Sequence, residues 1–132
     1  MDIVNRAEIP EGTRLVEREV FRDVIGHFAS GVTVITTRDE DVNYGLTASA
    51  VSSLSFDPPM LLVCINKRTG TPTVISKVKF FAVNILREDQ KAIARQFATP
   101  HPDKFRDIPI VFGELGVPLL STTLASIECR VV

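Results

Sequence analysis

Few residues of this chain have the types and spacing for chemistry, and most of those are hydroxyls. From Tyr44 to Pro59 a period of two places Thr47, Ser49, Ser53 and Ser55 on one side of an extended segment, and Leu46, Ala48, Ala50, Leu54 and Phe56 on the other. A row of small donors headed by Gly45 lets backbone amides and hydroxyls approach a phosphate or a flat polar ring. A second cluster, Asn66-Lys67-Arg68-Thr69-Gly70-Thr71-Pro72, puts cations and hydroxyls in one turn. Arg68 can form paired bonds to phosphate oxygens, and hydroxyls and amides can satisfy the rest. Taken alone, either cluster reads more readily as solvated surface.

Other chemistry is poorly equipped. The chain has no Gly-x-Gly-x-x-Gly, no His-Glu-x-x-His, no cluster of metal ligands and no glycine-flanked serine of the nucleophile-elbow kind. His27 reads as a helix-surface histidine. An enzyme built on this sequence therefore needs a cofactor to carry its reaction.

At 132 residues one domain is expected, with about two-thirds of the unfolded surface buried. A formal net charge of -1 with scattered Lys and Arg provides no attraction for nucleic acid or an anionic membrane. No run approaches the about 18 apolar residues of a membrane span, and the N-terminus lacks the pattern of a secretory leader. Cys64 and Cys129 lie in separate apolar runs without Cys-x-x-Cys spacing, so both are expected as small core residues of a cytoplasmic protein.

These candidate groups must be positioned by a mainly β scaffold. Residues 1–15 read as an arm and 16–132 as the domain. Val16, Val20, Phe21, Val24, Ile25 and Phe28 form the stripe of an amphipathic helix, with Gly31 placed as a left-handed cap. Val32 to Thr37 is a β-branched strand that forms a hairpin with the Tyr44 stretch. Within that stretch, Val51 and Ser52 break the alternation and predict a bulge, and Asp57-Pro58-Pro59 ends the strand.

Met60 to Ile65 is expected as a strand buried on both faces, and residues 73–78 as a short helix. Lys79 to Leu86 is another strand, in which a buried Asn84 would need partners. A helix is expected over Glu88 to Ala98, with Asp89 in its first turn and Ala92, Ile93 and Phe97 inward. The segment around Gly113 and Gly116 reads as irregular, Val117 to Leu120 touches the core, and Ala125 to Val132 is a last strand. Without regular βαβ alternation, the pattern predicts an antiparallel barrel or sheet with peripheral helices.

Several separated stretches carry a resemblance. They are Phe21-Arg22, Phe28 to Thr37, Gly45 to Ser49, Ser52 to Pro59, Phe81 to Leu86, Asp103-Lys104-Phe105, and Leu124 to Val132. In order and spacing the chain resembles the flavin reductase-like family of FMN-binding split barrels, in particular the small reductase components of two-component flavin-dependent monooxygenases. The resemblance implies a homodimer that binds FMN or FAD at its interface. It implies reduction of the flavin by NADH or NADPH, and release of reduced flavin to a partner oxygenase. The ring would lie against Thr47, Ala48 and Ser49. The phosphate would lie near Ser52, Ser53 and the loop bearing Asn66, Lys67, Arg68, Thr69 and Thr71. Phe81, Ala82, Lys104 and Phe105 would contribute to the pocket wall. Hydride transfer from nicotinamide to flavin requires no protein base, so no catalytic acid or base is assigned.

Chains of this family usually continue past the position of Val132 with a further hairpin that completes the barrel and carries a Gly-Asp-His motif. Without it the last strand is expected to leave an unpaired edge, and the sequence reads as a fragment whose hydride transfer would be impaired. A flavin-binding carrier or store on the same fold, and more distantly a pyridoxamine-phosphate oxidase, are the competing readings.

Overall fold

The structure is a computed structural model that describes residues 31–48, 50–67 and 70–132, together with Glu17 and Glu19. The expected arm and first helix lie outside the described residues, as do Ser49, Arg68 and Thr69. The described elements are β1 (Thr33–Asp39), β2 (Val42–Ala48), β3 (Ala50–Phe56), β4 (Pro59–Cys64), α1 (Gly70–Val78), β5 (Phe80–Ile85), α2 (Lys91–Ala98), β6 (Ile110–Phe112), β7 (Pro118–Leu120) and β8 (Ala125–Arg130).

All described strand pairings are antiparallel. The main sheet runs β2-β1-β5-β8, and β3-β4 and β6-β7 form two further ribbons. β1 is the most buried strand because its β-branched residues are covered on both sides: Thr33 through Thr37 are all buried. Its alternate residues serve two cores. Ile35 packs with Leu46, Ala48, Ile75 and Val83, and Val51, Leu61 and Val63 of the β3-β4 ribbon close over them. Val34 packs on the opposite face with Leu86, Phe97 and Leu120, beside Ile93, Ala94 and Ile110. Thus α1 and β3-β4 cover one face of the main sheet, and α2 and β6-β7 cover the other.

The β1-β2 hairpin closes at Glu40 and Asp41, both in the left-handed region with φ of 48° and 66°. A two-residue turn with both residues there matches the strand twist, and Asp39 pairs directly with Val42 across it. Arg38 supports the turn from the side by donating to Asn43 Oδ1 at 2.8 Å.

Asn84 lies fully buried on β5 and finds the partners it needs. Its Nδ2 donates to Val34 O at 2.9 Å and to Thr36 Oγ1 at 3.0 Å. Its Oδ1 accepts the Leu120 N–H at 3.0 Å and the Ser126 hydroxyl at 2.8 Å. Thr36 in turn donates to Pro118 O at 2.6 Å. One polar cluster therefore fastens the β6-β7 ribbon to the main sheet.

Several expectations are corrected. The Tyr44 to Pro59 stretch is two strands in different sheets, parted at residue 49, and its irregularity falls between Ser53 and Ser55 rather than at Val51 and Ser52. Crossing between sheets reverses which side faces inward. Val51 packs on the core, whereas Leu54 is 58% and Phe56 90% exposed. β4 is half-buried, because it pairs only with β3. Cys64 at its end is exposed, and only Cys129 packs against the core.

α1 begins at Gly70, with Pro72 in its first turn where the missing N–H costs no helix bond. α2 begins at Lys91, so Asp89 precedes it and pairs with Arg87 at 3.1 Å; Ala92 faces outward and Ala94 takes its inward place. The Gly113 to Gly116 segment is the tip of the β6-β7 hairpin. Glu128 accepts the N–H groups of Glu114 and Leu115 there, and Gly116 takes φ 77°.

Candidate functional site

β2 is an edge strand, so alternate backbone groups along it point away from β1. Gly45 is one such residue. Its carbonyl accepts bonds from outside the sheet, from Lys104 Nζ at 3.1 Å and from Thr71 Oγ1 at 3.5 Å. Thr47, two residues along, has the same backbone orientation. A cleft of about 330 Å³ opens against this edge, lined by Leu46, Thr47, Ala48, Ala50, Cys64, Ile65, Asn66, Phe97, Ala98 and Lys104. Its volume is at the lower end of the about 300–1,000 Å³ of small-molecule sites.

Four segments of chain build the walls. The end of β2 and the start of β3 supply small residues. Cys64, Ile65 and Asn66 follow from the end of β4, and Phe97 and Ala98 close α2. The Thr47 hydroxyl donates to Ala94 O at 2.5 Å and so fixes α2 against the strand edge. Phe97 is fully buried and meets Phe105 edge-on, with ring centres 5.0 Å apart. Its ring lies over Gly45, where a Cβ would come within 2.6 Å of it. Gly45 is therefore required by the close approach of α2.

Lys104 bridges the two walls, donating to Phe97 O at 2.9 Å as well as to Gly45 O. Burial lowers its pKa below the usual lysine value. The described lining residues include no carboxylate. Among the described residues no group of three or more His, Cys, Asp or Glu stands ready to hold a metal. The cleft can thus bind and orient a planar polar group through its backbone groups and one ammonium.

Of the residues nominated by sequence, Thr47, Ala48, Asn66 and Lys104 come together here. Ser52 and Ser53 do not; they are exposed farther along β3, opposite Leu62 and Leu61. Lys67 is exposed on the turn beyond the cleft. Thr71 is buried inside the start of α1 and bonded to Gly45 O, so it is turned away from an open phosphate site. Ala82 is fully buried, Phe81 packs in the first core and Phe105 in the second. None of the three is among the described lining residues. Leu46, Ala50, Cys64, Ile65, Phe97 and Ala98 were missed as lining residues. The apolar stripe marks Phe97 as buried, but only tertiary packing shows what it borders.

The fold and the cleft define a flavin-type split barrel, and comparison with known proteins agrees. The flavin reductase-like domain family matches residues 25–132. This chain belongs to that family. It is 49% identical over 117 residues to the reductase component of 4-nitrophenol 4-monooxygenase/4-nitrocatechol 2-monooxygenase of Rhodococcus opacus, covering 89% of this chain and 63% of that protein. It is 42% identical over 120 residues to flavin reductase (NADH) of Kitasatospora aureofaciens, covering 89% of this chain and 63% of that protein. Among solved structures, nitrilotriacetate monooxygenase component B from Mycobacterium thermoresistibile superposes with a TM-score of 0.80 at 37% identity, covering 87% of this chain and 64% of that one. The chain thus spans less than two-thirds of the length of these relatives.

Proposed function

We propose that this chain forms the flavin-binding part of an NAD(P)H:flavin oxidoreductase that passes reduced flavin to a partner oxygenase. The observation that carries the reading is the cleft on the edge of β2: backbone groups of Thr47, small walls at Ala48 and Ala50 and, among the described lining residues, one ammonium and no carboxylate. This donor set fits FMN or FAD. A bound flavin supplies the hydride-accepting chemistry that the side chains lack. The chain's own residues bind and orient the ring. Thr47, Ala48 and Asn66 face it, Lys104 offers a charged donor, and Phe97 and Leu46 exclude water from one side. Ser52, Ser53, Arg68 and Thr69 remain the proposed phosphate end, and Ser49 remains a proposed ring contact. NADH is the favoured reductant, on the likeness to the Kitasatospora protein.

The assembly is proposed to be a homodimer, a reading supported by Leu54 and Phe56 standing exposed on the β3-β4 ribbon. No helix among the described residues is long and apolar enough to cross a membrane, and a cytoplasmic location is part of the proposal, as is the boundary between an arm over 1–15 and a domain over 16–132. Anaerobic stopped-flow mixing of the flavin-loaded protein with NADH tests the reading, with this chain compared against one extended to the length of its relatives. Bleaching of the flavin absorbance band within seconds is expected in the longer chain, and impaired bleaching in this one. Tight flavin binding without bleaching of either chain by NADH or NADPH would show a carrier instead.

A further inference from the structure

Among the described residues, Lys104 is the one charged residue lining the cleft. An ammonium carries three N–H donors. Two are committed, to Gly45 O at 3.1 Å and Phe97 O at 2.9 Å, and no third acceptor stands against it among the described residues. The two carbonyls belong to opposite walls, one on the edge of β2 and one in the last turn of α2. Carbonyls at a helix C-terminus carry partial negative charge, so they hold the cation in place without cancelling it. Among the described residues no carboxylate pairs with Lys104, and desolvation lowers its pKa, as expected for a cation held by neutral groups. A cation fixed in this manner, half-buried and already oriented, acts on charge that develops beside it more strongly than a solvated one.

Transfer of a hydride to a neutral flavin ring delivers a proton and two electrons, so the ring gains one negative charge. We propose that Lys104 sets the relative affinity of the cleft for reduced and oxidised flavin, favouring the reduced anion through its remaining charged N–H. This inference rests on the functional reading above. Removing the charge then weakens the hold on reduced flavin more than on oxidised flavin, and hastens its release.

The test is a spectroelectrochemical titration of protein-bound FMN and FAD in the wild type and in Lys104→Gln, Lys104→Met and Lys104→Arg. Gln keeps N–H donors for the two carbonyls and removes the charge. It is expected to lower the reduced-to-oxidised affinity ratio about tenfold, a fall of about 30 mV in the two-electron potential. Met is expected to lower the ratio similarly and to weaken oxidised flavin binding as well, since both wall contacts are lost. Arg is expected to restore at least half of the shift. If Met fails to fold, the Gln variant alone decides. A potential unchanged in Lys104→Gln, with flavin still bound, would overturn the inference and leave the functional reading intact. A wild-type protein that binds neither flavin would overturn both.

Discussion

Replacing Asn84 by Leu is expected to cost about 4 kcal/mol of folding stability, on the scale of several buried polar groups losing their partners at about 1–3 kcal/mol each. Leu keeps the branching and heavy-atom count of Asn but is bulkier, so overpacking adds to the loss of the polar cluster. The Leu120 N–H and the Val34 carbonyl lose their bonds to the side chain, and the Ser126 and Thr36 hydroxyls each lose a partner. Leu120 and Thr36 are essentially shut off from water, so solvent cannot replace those bonds. Because Asn84 is the join between the β6-β7 ribbon and the main sheet, hydrogen exchange should rise first in residues 110–120. Urea unfolding measures the effect. A shift of the midpoint worth less than about 1 kcal/mol, the typical net value of a single hydrogen bond, would contradict the assigned role.

Phe97→Ala is the second large effect, and it joins stability to the site. Phe97 is fully buried against Val34, Leu86 and Leu120. Truncating such a ring costs about 3–5 kcal/mol through lost burial and the cavity left behind. The same ring holds Phe105 edge-on and lies over Gly45. Its loss frees the end of α2 and with it the carbonyl that Lys104 holds. Flavin affinity is therefore expected to fall more than tenfold in whatever protein remains folded. Phe97→Leu, which refills much of the space, should recover most of the stability and part of the affinity. Calorimetry together with a flavin fluorescence titration checks both halves. Full stability with normal affinity in Phe97→Ala would show that the ring neither fills the core nor supports the cleft.

The strands that were legible in the sequence were those whose local preference and burial agree. Val32 to Thr37 and, apart from Asn84, Phe80 to Ile85 are apolar or β-branched, and both lie in the interior of the main sheet. Asn84 stood out there as a polar residue requiring partners. The Tyr44 to Pro59 stretch misled because alternation persists while the chain changes sheets, so a pattern with one parity describes two differently oriented strands. β6 and β7 are three residues each, too short for any period to register. The cleft was half-legible. Thr47 and Ala48 were found from a local run and from the family resemblance. Cys64, Ile65, Phe97 and Ala98 belong to it only because β4 and α2 end beside β2, which no local pattern encodes. Lys104 entered through the resemblance alone; its two carbonyl partners are 59 and 7 residues away in sequence.

The central claim is that the cleft on the edge of β2 is where the flavin ring binds, and one substitution tests it with little risk to the fold. Ala50 lines the cleft yet is exposed at the start of β3, so a large side chain there fills the opening without entering either core. Titration of FMN and FAD into Ala50→Trp, followed by flavin fluorescence, is expected to show at least tenfold weaker binding than wild type at an unchanged Tm. Wild-type affinity in a fully folded Ala50→Trp protein would place the flavin elsewhere and contradict the account.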